Sequence, residues 1–197
     1  MNIFVLDEDP IVAAKMYCDK HIPKMCVELL QQIGSAAIKH GAQPEQLPLA
    51  KATQKPIRGG YHNHPCTIWC GMTRDNYLWA AHHGAALCEE YTKRFGKEHY
   101  CANGIEILYG LSYLIPEGDL TPFALAMPDE YRPKGLTFSQ IFDKVYDDGY
   151  EVKTTHASGD DAVQAYHRYY HSKAFAVWEK GRPMPDWFSL EQQVVLA

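Results

Sequence analysis

The chain has 197 residues, a mass of 22.4 kDa and a formal charge of -5, with 46% hydrophobic and 22% charged residues. That is enough chain for one packed core without disulfide support, and no apolar run approaches the ~20 residues that span a bilayer, so disorder and a membrane-spanning protein are excluded. Residues 1–6 run straight into Asp7-Glu8-Asp9 without the basic start of a signal peptide, so a cytoplasmic protein with reduced thiols at its six cysteines is expected.

Asn2 to Leu6 is rich in Ile, Phe and Val and reads as a short strand or extended segment. Asp9-Pro10 is a helix-start signal. One helical pattern runs from there to about Ile33, stops at Gly34, and is kinked or split at Pro23. Its buried stripe is Ile11, Ala14, Cys18, Ile22, Met25, Leu29 and Ile33, with Tyr17, Lys20, His21, Lys24 and Glu28 on the other side. Residues 41–66 hold five prolines or paired glycines at Pro44, Pro48, Pro56, Gly59-Gly60 and Pro65 and read as a long functional loop.

Thr73 or Asp75 opens a second helix that runs to about Phe95 and is closed by Gly96. Its apolar face carries Leu78, Ala81, Ala85 and Cys88, and a polar stripe carries Asn76, Trp79, His83, Glu90 and Arg94. A shorter helix is expected over Ile105 to Leu114. The apolar, proline-bracketed segment 121–128 reads as a buried plug. A last helix is expected from Gly159-Asp160 through Trp178, followed by a tail that packs Trp187 and Phe188. The fold class is mainly α: a single compact helical domain with a short extended N-terminal segment and long loops.

Charge is unevenly spread. Residues 10–74 hold eight Lys and Arg against three acids, a segment charge of +5, so the remainder carries -10. The basic part is either a solvated face or a surface for a polyanion, bound with marked salt dependence. Within it, Lys20, His21, Lys24 and Glu28 share one helix face. Two cations at i, i+4 can straddle phosphates, a neighbouring carboxylate or imidazole can move protons, and crowded ammonium groups can yield a nucleophilic amine. The plainer reading is an exposed face with a Lys24–Glu28 ion pair.

Arg58-Gly-Gly-Tyr-His-Asn-His-Pro lets the backbone approach a ligand closely and supplies rings at Tyr61, His62 and His64. His62 and His64 are the pair to which a metal would go, with Cys18, His21, Cys66, Cys70, His82, His83, His99 and Cys101 as recruits, although no spacing matches a zinc signature. Glu90 and Arg94 make an ordinary i, i+4 pair that, if buried beside the first helix, could orient Lys20 or His21. Tyr166, Tyr169, Tyr170 and Trp178 are either core or a base-stacking platform.

The run Lys20-His21-Ile22-Pro23-Lys24 resembles the basic-Glu-Leu-Pro-basic pattern of phage pyrimidine-dimer DNA glycosylases of the endonuclease V type. His64-Pro65, Trp69 and the helix end Glu89-Glu90-Tyr91-Thr92-Lys93-Arg94-Phe95-Gly96 are similar to the next part of that family, and the resemblance covers about the first hundred residues. It implies a helical enzyme that kinks DNA, flips a base and cuts the glycosidic bond with an amine that forms a Schiff base, which then permits strand cleavage. Two positions depart from the pattern. His21 stands where the catalytic Glu is expected, leaving Glu28 or a carboxylate from elsewhere. Asn2 is too large for efficient Met removal, so the free amine would be that of Met1, with Lys20 or Lys24 as substitutes.

The expected function is a base-excision DNA glycosylase, with AP-lyase activity as an accompaniment, acting as a monomer without a cofactor on double-stranded DNA held by residues 10–74. Residues 1–105 would form the endonuclease V-like core and 106–197 a helical elaboration. The catalytic set is Lys20, His21, Lys24, Glu28 and Met1. The DNA- and substrate-binding set is Arg58, Tyr61, His62, His64, Trp69, Arg74, Asn76, Glu90 and Arg94. Two other readings stand beside it: a metal-dependent enzyme on a nucleotide or modified base using His62 and His64, and a non-catalytic DNA-binding protein.

Overall fold

The computed structural model describes residues 2–133, 141–144 and 151–188, with the backbone alone at 141–144 and 151–154. The fold is mainly α. Asp9 opens the first helix, α1 (Pro10–Met16), with its carboxylate accepting the Ile11 and Val12 amides at 2.7 and 3.0 Å. The single kinked helix expected over 10–33 is two helices. The chain leaves α1 at Tyr17, in extended conformation, and re-enters helix as α2 (His21–Lys39). The break therefore precedes Pro23, which sits in the first turn of α2, where no intrahelical N–H partner is needed. The change of phase at residues 17–20 puts Ile11, a predicted core residue, 47% in solvent, and buries Tyr17 completely.

Gly34 does not end α2. It lies inside it because the loop packs there: a Cβ at this position would stand 2.7 Å from Ile57 Cδ1. The long loop holds a 3-10 turn at Pro44–Gln46 and an isolated bridge between Leu49 and Pro56, and ends in a short helix, α3 (Pro65–Cys70). The next helix, α4 (Arg74–Phe95), starts and stops where its cap residues place it. Thr73 Oγ1 accepts the Asn76 amide at 3.2 Å, and Gly96 closes the helix in the left-handed region at φ 68°. Then come α5 (Ala102–Tyr109) and a 3-10 turn at Ser112–Leu114.

The apolar plug holds β1 (Phe123–Ala124), which pairs antiparallel with β4 (His156–Ala157); in a separate sheet β2 (Ile141–Lys144) pairs antiparallel with β3 (Glu151–Thr154). The last helix, α6 (Gly159–His171), is shorter than expected, and Trp178 lies beyond it. The tail packs both its rings: Trp187 stacks on His167 at 3.9 Å and Phe188 on His171 at 4.9 Å. Among the described residues, no helix is long and apolar enough to cross a membrane.

The core is centred on α4, against which α1, α2 and α5 pack. Ile22, Leu29, Ile33, Leu87 and Leu108 are fully buried there, each contributing about 1.5–3 kcal/mol by leaving water. Segment 2–6 is not a strand. It is an extended run threaded between α1, α2 and α6, with Phe4 packed against Tyr17, His21, Tyr166 and Tyr170.

His83 shows how much the interior depends on neutral rings. Fully buried on α4, it places Nδ1 2.7 Å from the Pro10 carbonyl and Nε2 3.1 Å from the Tyr17 hydroxyl, and desolvation pushes its pKa down to about 4. Unfolded, it would titrate near 6.5. Between these values the unfolded chain binds the extra proton, so stability is present in full above pH ~6.5 and is lost as pH falls toward about 4. Urea unfolding between pH 7 and 5 should show this loss, with a limiting slope of about 1.4 kcal/mol per pH unit from this ring alone. A His83→Gln variant with the same acid sensitivity as the parent would remove His83 from the explanation.

Candidate active site at the start of the second helix

The first turns of α2 project His21, Lys24 and Glu28 on one face at helical spacing. Sequence periodicity places that face in solvent. The structure covers part of it with segment 2–6 and α6, so His21 and Glu28 are 5% and 8% exposed while the Lys24 amine stays in water.

Glu28 is the centre of the arrangement. One carboxylate oxygen accepts the backbone N–H of Asn2 at 3.1 Å, and the other pairs with Lys24 Nζ at 3.2 Å. Asn2 is held on every side. Its amide nitrogen donates to the Ala126 carbonyl at 2.6 Å, and its side-chain oxygen accepts from the Tyr166 hydroxyl at 3.1 Å and the Cys66 thiol at 3.5 Å. Tyr166 is fully buried and also hydrogen-bonds Ala124, which ties the apolar plug to the start of the chain. A carboxylate is thereby fixed against the first described backbone amide, in a pocket that holds the amide still.

His21 stacks on Phe4 at 5.0 Å and meets the Tyr170 hydroxyl at 2.7 Å. That hydroxyl also accepts the Cys18 amide at 2.9 Å, so it links the His21 ring to the backbone just ahead of α2. Burial, then the positive charges of Lys24, Lys173 and Lys20, drive the His21 pKa down to about 3. The ring is neutral at physiological pH.

The cationic surround includes a residue outside the basic segment. Lys173, just beyond α6, lies 3.5 Å over the Tyr169 ring. Lys20 lies 4.6 Å over Phe175, an exposed ring that also contacts His21 edge-on at 5.1 Å. Sequence reasoning reaches Tyr166 only as core or a stacking platform and misses Asn2, Lys173 and Phe175, which join the site through long-range contacts that no local pattern marks.

Of the expected catalytic set, Lys20, His21, Lys24 and Glu28 lie together, and Met1 lies outside the described residues. The expected binding set divides. Arg58, Tyr61 and His62 are exposed on the loop, which Ser35 pins to α2: its hydroxyl accepts the Gly60 amide at 2.7 Å and donates to the Gly60 carbonyl at 2.9 Å. Gly59 is required there, with φ 69° and room for no Cβ against the Ser35 backbone. Ser35 is seven residues along α2 from Glu28, about 10 Å of helix.

Beside the loop runs a groove of about 1470 Å³ bordered by Lys51, Lys55 and Arg58 on one side and Val27 and Gln31 of α2 on the other. Tyr61, with φ 56°, holds its ring 58% exposed next to it in the chain. His64 caps α3, its Nδ1 accepting the Cys66 amide at 3.2 Å.

The remaining members face inward. Trp69 packs against Trp79 and Phe123, and Asn76 bonds to Trp69 and Thr121. Arg74 is half-buried and pairs with Glu117 at 3.0 Å. Arg94 is buried, and its guanidinium donates to Asp19, to the Tyr17 and Lys15 carbonyls and to Glu90, which also receives Arg182. The Glu90–Arg94 pair is thus more than a helix-surface pair. It grips the joint between α1 and α2, immediately before Lys20 and His21.

The described residues thus form a mainly α core in which Glu28 holds the Asn2 amide and Lys24, beside a His21 ring that feels Lys24, Lys173 and Lys20. Residues 1–102 match the family model described as pyrimidine dimer DNA glycosylase, which is more than half of the chain, and the chain belongs to that family of DNA-repair enzymes. No curated protein and no solved structure matches it. Family membership makes DNA its substrate polymer and base removal its class of reaction.

Proposed function

We propose that the chain is a base-excision glycosylase with accompanying AP-lyase activity, in which Glu28 is the working carboxylate and the amine of Met1, the residue ahead of Asn2, is the nucleophile. The observation that supports this is the 3.1 Å hydrogen bond from the Asn2 amide to Glu28, because it sets the carboxylate beside the residue that follows the amine. Glu28 would supply the carboxylate that the endonuclease V-type pattern carries at the position of His21. The amine attacks C1′ of the sugar as the base leaves, the C1′–O4′ bond then opens to give the Schiff base, and Glu28 carries the proton from the amine to O4′. Neutral His21 orients this end of α2 through Tyr170, and Lys20, Lys24 and Lys173 hold phosphates of double-stranded DNA. The exposed loop with Arg58, Tyr61 and His62 contacts the flanking duplex. The protein works as a cytoplasmic monomer and completes the cut as an AP lyase.

Borohydride trapping on a duplex containing one pyrimidine dimer, followed by peptide mapping, tests this. A covalent adduct at Met1 with strand cleavage is the expected result. An adduct at Lys24 would transfer the nucleophile to that side chain, and no adduct or base release on dimer-containing or abasic duplexes would leave a DNA-binding protein without this chemistry.

A further inference from the structure

Away from the Glu28 site, a second group of chemically competent side chains converges where α2, α4 and the turn before α5 meet. Cys26 comes from α2, Cys88 from α4 and His99 from the turn, and one donor atom of each lies within 4.8 Å of the others. All three are buried, and all six cysteines of the chain carry free thiols. Tetrahedral zinc with bonds of about 2.3 Å to sulfur sets its donors about 3.8 Å apart, so side-chain adjustments of under an ångström close this cluster around an ion. Cys101 is buried and two residues from His99, with its amide 3.2 Å from His99 Nδ1; its sulfur lies outside the 4.8 Å group and must swing in to complete the set.

We propose that Cys26, Cys88 and His99 hold a structural zinc ion, with Cys101 as the fourth ligand. The donor set, three sulfurs and one imidazole, is that of closed structural zinc sites, and soft thiolates disfavour magnesium and calcium. The common alternative for buried cysteines is simple core packing. It does not account for two sulfurs and an imidazole, drawn from three separate elements, whose donor atoms all lie within 4.8 Å of one another.

On binding, each thiol releases its proton to solvent as its sulfur takes the metal. A metal on Nε2 puts the ring proton on Nδ1, so the Cys101 amide contact lengthens, a small movement at the first turn of α5. Entry is open: Cys88 lines a surface cavity of about 590 Å³ together with His82, Glu89 and Glu98. The ion would clamp α2 to α4 behind the face that carries Glu28, making it a stabilising element outside the chemistry.

Elemental analysis of reduced, untagged protein should find one zinc per chain. It should fall below a tenth in the Cys88→Ser, His99→Ala double variant and stay at one in His62→Ala, His64→Ala. Because the first variant can fail to fold, the parent protein is also stripped and reloaded with cobalt, where thiolate-to-cobalt absorption is expected. Cys101→Ser should lose metal to a chelator at least tenfold faster than the parent, and an unchanged rate would overturn Cys101 as a ligand. A parent protein that retains no zinc and gives no thiolate–cobalt absorption, or that yields a Cys26–Cys88 disulfide when isolated without air, would overturn the site.

Discussion

Glu28→Gln should reduce base release and borohydride trapping by a factor of about 10²–10⁴, the usual contribution of a positioned proton-transfer group. The substitution keeps shape, and the new amide carbonyl still accepts the Asn2 N–H now bonded at 3.1 Å. What disappears is the charge that pairs with Lys24 and the capacity to take up a proton. Single-turnover kinetics on a lesion duplex should show the loss in the rate of the covalent step, with duplex affinity changed by less than about threefold (~0.6 kcal/mol). A variant with parental single-turnover rates would remove Glu28 from the reaction and return the role to a carboxylate outside this face.

Arg94→Ala should cost about 3–5 kcal/mol of folding stability, among the largest single losses available in this chain. Arg94 is buried with its guanidinium spent on four partners: Asp19 at 3.0 Å, Glu90 at 3.3 Å, and the carbonyls of Tyr17 and Lys15 at 2.7 and 2.9 Å. Removing it leaves two carboxylates facing each other across a dry gap. Asp19 still receives the Glu179 and Lys180 amides, and Glu90 keeps Arg182, so part of the charge stays compensated. Chemical denaturation reads the loss, and adding Asp19→Asn and Glu90→Gln to the alanine variant should recover part of it. A loss under 1 kcal/mol would show that the cluster is solvated in solution. Activity should fall with stability, because the same guanidinium fixes the residues that lead into Lys20 and His21.

The helices that begin and end on their own chemistry were legible from local residues. Asp9-Pro10 starts α1, and Thr73 and Gly96 bound α4, because caps satisfy terminal backbone groups wherever the helix is placed. Gly34 and Pro23 misled for the same reason in reverse. Each is a punctuation residue locally, but Gly34 is small because Ile57 packs on it, and Pro23 is harmless because the helix has only just begun. The role of Tyr166 and Tyr170 was open between core and platform, and burial decides for core. Around His21 the charges of Lys20 and Lys24 are joined by that of Lys173, which lies far outside the basic stretch in sequence.

By itself the sequence determined the mainly helical class, the segregation of positive charge into residues 10–74, the grouping of Lys20, His21, Lys24 and Glu28 on one face, and the likeness to pyrimidine-dimer glycosylases. These depend on spacing and residue type, which are local quantities. Tertiary structure alone decided that the face is half-covered, that Glu28 meets the Asn2 amide, that Arg94 clamps the α1–α2 joint, and that Cys26, Cys88 and His99 converge. Each joins residues far apart in the chain, and burial and proximity between distant segments arise from how whole elements pack.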